Sequence, residues 1–266
     1  MTTPKTHDLD PPPTSLPPPN LLTTIPYTTP TLIRHFYYSK TTNPYLLITN
    51  VPETIITESL DLDRFLQTKA RISWNRTTRT LILKSGARRQ EIACGHFNNE
   101  VHFFLHKTGL SHDLDPLGRA TVVFDDEVVK DPDSSFCPRV LPPGRSCKWP
   151  SVVMHSGWVD GLGYLRGEAG LWLRRSGGDV RVVVLIALGD EEAVLEKWVP
   201  GEGLVQRVSI AKREGGDGAV VMGGPLTLTF QELFLRDPDP EKPGERDLVL
   251  DGDILRGVAR LIGISE

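Results

Sequence analysis

Apolar positions along this chain follow two rhythms, one of period near 3.6 and one of alternating or unbroken runs. From Gln90 to Thr108, Ala93, Phe97, Val101, Phe104 and Leu105 recur at helical spacing, and Gly109 follows as a natural stop. Leu162, Leu165, Ala169, Trp172 and Leu173 share one helical face, and that run closes at Ser176-Gly177-Gly178. Two shorter helices are predicted, over residues 57–68 and 254–262. Arg71–Asn75 and Thr80–Leu83 flank a polar turn, as the arms of a β-hairpin do. Further strands are predicted at Thr121–Phe124, from Pro150 to Met154, at Val180–Leu188, at Ala193–Val199 and at Val205–Ile210. Leu226–Phe230 alternates as an edge strand would. The section from Pro150 and the run at Val180 are almost wholly apolar, which fits strands buried on both faces. Asp237–Arg246, rich in proline and charge, reads as a surface loop. Helices and strands in this order predict one α/β (α+β) domain around a mixed central sheet flanked by helices, over residues 51–266. Phe97, Phe104 and Trp172 sit at core spacing and are assigned to packing.

Residues 1–50 differ in kind. Pro11-Pro12-Pro13 and Pro17-Pro18-Pro19 stand among threonines. Proline fixes φ and removes a backbone donor, so the stretch is expected to be a disordered Pro/Thr-rich arm. A protein partner for the arm, of the kind that reads polyproline helices, is one use for it; a plain tail is the simpler one. Ordered structure is expected to begin near Tyr45–Val51.

Composition narrows the classes. Net charge is −4 at neutral pH and the pI is about 6.0, so the chain is not a strongly basic nucleic-acid binder. Contact with nucleic acid would need a local basic patch, for which Arg88-Arg89 and Arg174-Arg175 are candidates. Cys94, Cys137 and Cys147 match no zinc-ligand spacing and are read as free thiols, which fits a reducing, intracellular setting. Cytoplasm and nucleus are not distinguished. The longest apolar run, Val182–Leu188, is about a third of a membrane span, so no membrane is expected. Gly161-Leu162-Gly163 opens a helix after a strand, but the next glycine, Gly167, is one residue too far for a dinucleotide fingerprint.

Three segments in order resemble the fungal branch of the restriction-endonuclease-like, PD-(D/E)XK superfamily. The first is the hairpin Arg71–Asn75 and Thr80–Lys84 followed by Gln90-Glu91. The second is Asp131-Pro132-Asp133-Ser134-Ser135-Phe136. The third runs from Trp149-Pro150-Ser151-Val152-Val153-Met154-His155-Ser156-Gly157 to Leu171-Trp172-Leu173 and Ser176-Gly177-Gly178-Asp179-Val180, with Leu195-Glu196-Lys197-Trp198 beyond. The likeness spans roughly residues 60–235.

The resemblance implies a metal-dependent nuclease site. Phosphodiester hydrolysis must activate water and offset charge on the phosphoryl group, and carboxylates holding Mg²⁺ or Mn²⁺ do both. By this likeness Asp133 takes the metal-bridging role, Glu91 is an auxiliary acid at a helix start, and His155 occupies the second metal-binding position. There the chain departs from the pattern. Position 155 carries no carboxylate, Gly157 stands where a lysine is expected, and no lysine occurs between Lys148 and Lys197. Imidazole is a softer ligand than a carboxylate. His155 is thus either a replacement ligand or proton carrier, or a polar residue left in a degenerate motif. Asp133 also reads as a loop aspartate, and Glu91 as a first-turn helix acid. Two functions follow: a nuclease with weakened or lost hydrolysis, using Mg²⁺ or Mn²⁺ if active, or a non-catalytic binding or scaffold module on the same fold.

Overall fold

A run with no polar side chain can be stable in water only if both of its faces are covered, and Val182–Leu188 is buried at every position. It lies in the middle of the larger sheet of the protein, whose computed structural model describes residues 16–39, 43–53, 70–125, 128–215 and 218–264.

Two sheets carry most of the strands. The first contains β1 (Leu22–Pro26), β2 (Tyr45–Thr49), β3 (Arg71–Asn75), β4 (Thr80–Lys84), β6 (Val122–Asp125) and β7 (Val128–Lys130), in the order β1-β2-β4-β3-β7-β6. The second contains β5 (Leu114–Pro116), β8 (Ser134–Pro138), β9 (Val152–Trp158), β10 (Val182–Leu188), β11 (Glu192–Val199), β12 (Gly203–Lys212) and β13 (Ala219–Met222), in the order β13-β12-β11-β10-β9-β8-β5. A ribbon of β14 (Leu226–Leu228) and β15 (Leu248–Leu250) stands apart. The helices are α1 (Pro30–Ser39), α2 (Arg88–Thr108), α3 (Leu162–Arg175), α4 (Phe230–Phe234) and α5 (Gly252–Leu261).

The second sheet is mixed. β9 and β10 run parallel, with Leu185 opposite His155, and the other pairs in this sheet are antiparallel. Parallel neighbours need a crossover, which α3 supplies between them. Alternation then divides the core. Val152, Met154, Val184 and Ile186 join a cluster with Phe97 and Val101 of α2 and Leu255 of α5. Val153, Val183 and Leu185 turn the other way, onto Leu165, Ala169 and Trp172 of α3. A mixed sheet flanked by helices, as the sequence predicts, is therefore present. The chain passes from the first sheet to the second at Lys130–Ser134, between β7 and β8. Asp131 exchanges backbone bonds with Ile72 of β3, while the Asp133 amide donates to the Met154 carbonyl of β9. That short crossing ties the sheets together.

Most predicted elements form, with shifted ends. α2 ends at Gly109, whose φ of 76° places it in the left-handed region that glycine tolerates. The predicted edge strand at residues 226–230 is cut short. Thr229 instead caps α4, accepting from the Glu232 amide while the Glu232 carboxylate accepts from the Thr229 amide.

The arm is corrected from residue 16 onward. Within residues 16–50, β1 pairs parallel with β2, and α1 packs Ile33 and Tyr37 against the first sheet's core. Proline is tolerated there by position: Pro26 ends an edge strand, and Pro30 begins α1, where the amide has no helical partner anyway. Thr29 accepts from the Leu32 amide as its cap. Residues 1–15 and the predicted helix over 57–68 lie outside the described residues. No described helix is long and apolar enough to cross a membrane.

The three thiols are free; Cys94 and Cys137 are buried and Cys147 is exposed. Burial, with the Asp133 charge adding to it, pushes the Cys94 thiol up to about 12. A thiol-exchange titration at neutral pH should label Cys147 within minutes and the other two only in denaturant. Rapid native labelling of Cys94 would contradict this packing.

Candidate functional site

Strand parity brings charged side chains to the seam between the two sheets. In β3, Ile72 and Trp74 enter the first sheet's core, which leaves Arg71 on the opposite side. In β4, Leu81 and Leu83 do the same, which leaves Lys84 beside Arg71, its register partner. Asp133 approaches from the crossing segment and His155 from β9. All four side chains are buried, and the Asp133 carboxylate is only 1% exposed.

A carboxylate this deep is costly unless neutralised. Lys84 Nζ donates to Asp133 Oδ2 at 2.5 Å and to the Ser156 carbonyl oxygen at 2.6 Å. The Ser156 amide donates to the same Oδ2 at 2.8 Å. Arg71 Nε stands 2.7 Å from Oδ1, without the alignment of a directed hydrogen bond, so that contact is ionic. His155 Nδ1 is 3.7 Å from Oδ2, and its Nε2 has no hydrogen-bond partner. Burial alone would raise the Asp133 carboxyl. Lys84, with His155 and Arg71 behind it, outweighs burial and holds it well below the usual carboxylate range.

Glu91 joins this group through Arg71. It stands in the first turn of α2, about half exposed, and ion-pairs with Arg71 Nη1. Gly86 makes the pair sterically allowed, since a Cβ there would collide with the Glu91 carboxylate and the guanidinium. A second buried pair lies alongside: Lys130 of β7 bonds both oxygens of Glu168 on α3, at 2.7 and 2.5 Å. Tyr45 and Tyr164 meet edge to face at 5.4 Å next to it.

Asp133 and His155, expected to share a site, therefore do meet, and Arg71 links Glu91 to them. The sequence reading passed over Arg71, Lys84, Lys130 and Glu168. Arg71 and Lys84 lay inside the quoted hairpin, and their signature is a cation at an inward position of a buried strand. A lysine was sought near position 157; Lys84 arrives instead from β4.

The donor set does not fit a hard divalent ion as it stands. Such an ion needs several oxygen ligands and net negative charge. Both Asp133 oxygens already face internal cations, and Arg71, Lys84 and Lys130 balance Asp133, Glu91 and Glu168. A doubly charged ion about 4 Å from one ammonium would be repelled by roughly 8 kcal/mol at an effective dielectric near 20. Among the described residues, no group of three or more His, Cys, Asp or Glu side chains could hold a metal ion.

Space is also limited. The cavity bordered by Tyr45, Lys84, Asp133, His155 and Glu168 is about 30 Å³, room for about two waters. An open cleft of about 520 Å³ lies at the ends of β4, β9 and β10, and its charged lining residues are Asp160, Asp190 and Glu192, all acids. The predicted basic clusters are partly engaged. Arg89 donates to the carbonyls of Ile262 and Gly189, and Arg175 pairs with Asp125.

No family model matches this chain, and no curated protein matches it. Three solved chains do. One is described as a "putative nuclease belonging to DUF820" from Anabaena variabilis ATCC 29413. It is 12% identical, with a TM-score of 0.43 over 76% of this chain and 98% of that one.

Asp133→Asn strands two buried cations and is expected to cost about 3–5 kcal/mol of stability. The pH dependence has a definite sign. Because the folded carboxyl is depressed, its contribution is complete above about pH 4 and is lost as pH falls toward the folded value. Urea midpoints from pH 7 down to 3 should show an acid limb steeper in the wild type than in Asp133→Asn. The difference should approach 1.4 kcal/mol per pH unit, one proton's worth. Identical limbs would show that Asp133 titrates normally.

Proposed function

We propose that this chain is a restriction-endonuclease-like domain whose divalent-metal-dependent phosphodiester hydrolysis is weakened or lost, and which serves as a non-catalytic binding or scaffold module. The observation that carries this reading is the state of Asp133. The carboxylate that the resemblance assigns to metal is neutralised by Lys84 and Arg71, and position 155 supplies no second carboxylate. Both nuclease functions, activating water and offsetting phosphoryl charge, need a strongly polarising ion at that point.

Two further features support it. The cavity at the cluster has no room for a nucleotide. The larger cleft beside it presents acids, which repel a phosphodiester backbone rather than attract it. Roles as metal ligands for Asp133 and His155, and as auxiliary acid for Glu91, thus belong to the ancestry proposed here. Their present work is electrostatic and structural. Nucleic acid remains a partner for this reading only through a local basic patch, for which Arg88 and Arg174 are the more exposed members of the two arginine pairs. A protein partner of the Pro-rich arm is the other.

The test is cleavage. Supercoiled plasmid and single-stranded oligonucleotides are incubated with the full chain in millimolar Mg²⁺ or Mn²⁺, with Asp133→Ala alongside. The expected result is equal background for both chains. Nicking by the wild type that disappears in Asp133→Ala would overturn the proposal.

A further inference from the structure

Lys84 makes contacts that a metal ion would also make. Its ammonium touches a carboxylate oxygen of Asp133 and the backbone carbonyl oxygen of Ser156. Both are hard oxygen donors, the kind Mg²⁺ and Mn²⁺ prefer. The two oxygens come from different segments, the crossing between the sheets and β9, and they converge on one point. The Nζ atom fills that point, carried there on a stem from β4 of the other sheet. Side chains of Tyr45, Arg71, Lys130, His155, Tyr164 and Glu168 enclose it.

Charge explains why an ammonium suits this place. One carboxylate at the centre balances one positive charge. A divalent ion would need a second carboxylate, and the residue at position 155 is His. We propose that Lys84 is a tethered cation standing in the position of a divalent ion, joining Asp133 to the β9 carbonyl that an ion would otherwise bridge. The site is thereby a latent cation site: removing the Lys84 side chain opens it to Mn²⁺ or Mg²⁺. This rests on the preceding reading that the cluster no longer performs metal-dependent hydrolysis. It adds a reason why the fold holds together without the ion.

The experiment uses the full chain in four forms: wild type, Lys84→Ala, Lys84→Met and Lys84→Ala/Asp133→Asn. Each is melted in chelator, in millimolar Mn²⁺ or Mg²⁺, and in K⁺ at matched ionic strength; bound Mn²⁺ is counted by electron paramagnetic resonance. The wild type should bind no Mn²⁺ at the cluster, and its melting temperature should not respond to it. Lys84→Ala should melt about 10 °C lower in chelator, bind one Mn²⁺ and recover at least half of the loss. Lys84→Met, whose stem fills the space, and the double variant, which lacks the carboxylate, should recover nothing. If Lys84→Ala does not fold in chelator, refolding yield with and without Mn²⁺ replaces the melt. A higher yield with Mn²⁺ supports the proposal and an unchanged yield overturns it. It is likewise overturned if folded Lys84→Ala neither binds nor responds to either ion, or if the wild type binds Mn²⁺ through Asp133. The two ideas fail separately. Plasmid cleavage by the wild type removes the non-catalytic reading, whereas an unresponsive Lys84→Ala beside an inactive wild type removes only the tethered cation.

Discussion

A buried aspartate holds this molecule together at its seam. Asp133 sits where the chain leaves the first sheet for the second, and its carboxylate is almost wholly withdrawn from water. An isolated charge in that position would not stay ionised. It is stable because β3 contributes Arg71, β4 contributes Lys84 and β9 contributes the Ser156 amide. Each of those partners fixes one element relative to the crossing. The electrostatics of the site and the docking of the two sheets are thus one problem with one solution.

The same physics recurs nearby and limits what the site can do. Lys130 and Glu168 fasten β7 to α3, and Glu196, fully buried on β11, accepts from Arg166 of α3 and Arg207 of β12. Buried pairs of this sort add little net stability over an apolar core, but losing one partner is expensive. They specify which elements meet. A catalytic site needs the opposite: unsatisfied charge that a substrate or an ion will complete. At Asp133 the completion is already internal, which is why the geometry supports a descendant of a nuclease fold more readily than a working nuclease.

Much of the fold was legible because it follows local periodicity. The helix over Arg88–Thr108 announced itself through Ala93, Phe97, Val101 and Phe104, and its end through Gly109. The central strand announced itself through an unbroken apolar run. What escaped was set by distant partners. β1 and α1 were hidden by prolines whose positions happen to be compatible with an edge strand and a first helical turn. β5, β7 and β15 are three residues each, too short for alternation to register. The site was half legible. The spacing and order of the motifs led to Asp133 and His155, and these do meet. Lys84 did not stand out, because its partners lie 49 and 72 residues further along the chain, and only the strand register shows that a lysine ending a hydrophobic strand points inward.

The central claim is that the charge on Asp133 is met by Lys84 rather than by anything the protein must acquire. A double-mutant cycle tests it most directly: Lys84→Met, Asp133→Asn and the pair, each unfolded in urea with chelator present. The account predicts strong coupling, with the double variant more stable than the two single losses together would allow, by about 2–3 kcal/mol. Losses that add to within about 0.5 kcal/mol would mean the two side chains act independently, and the account of the site would be wrong.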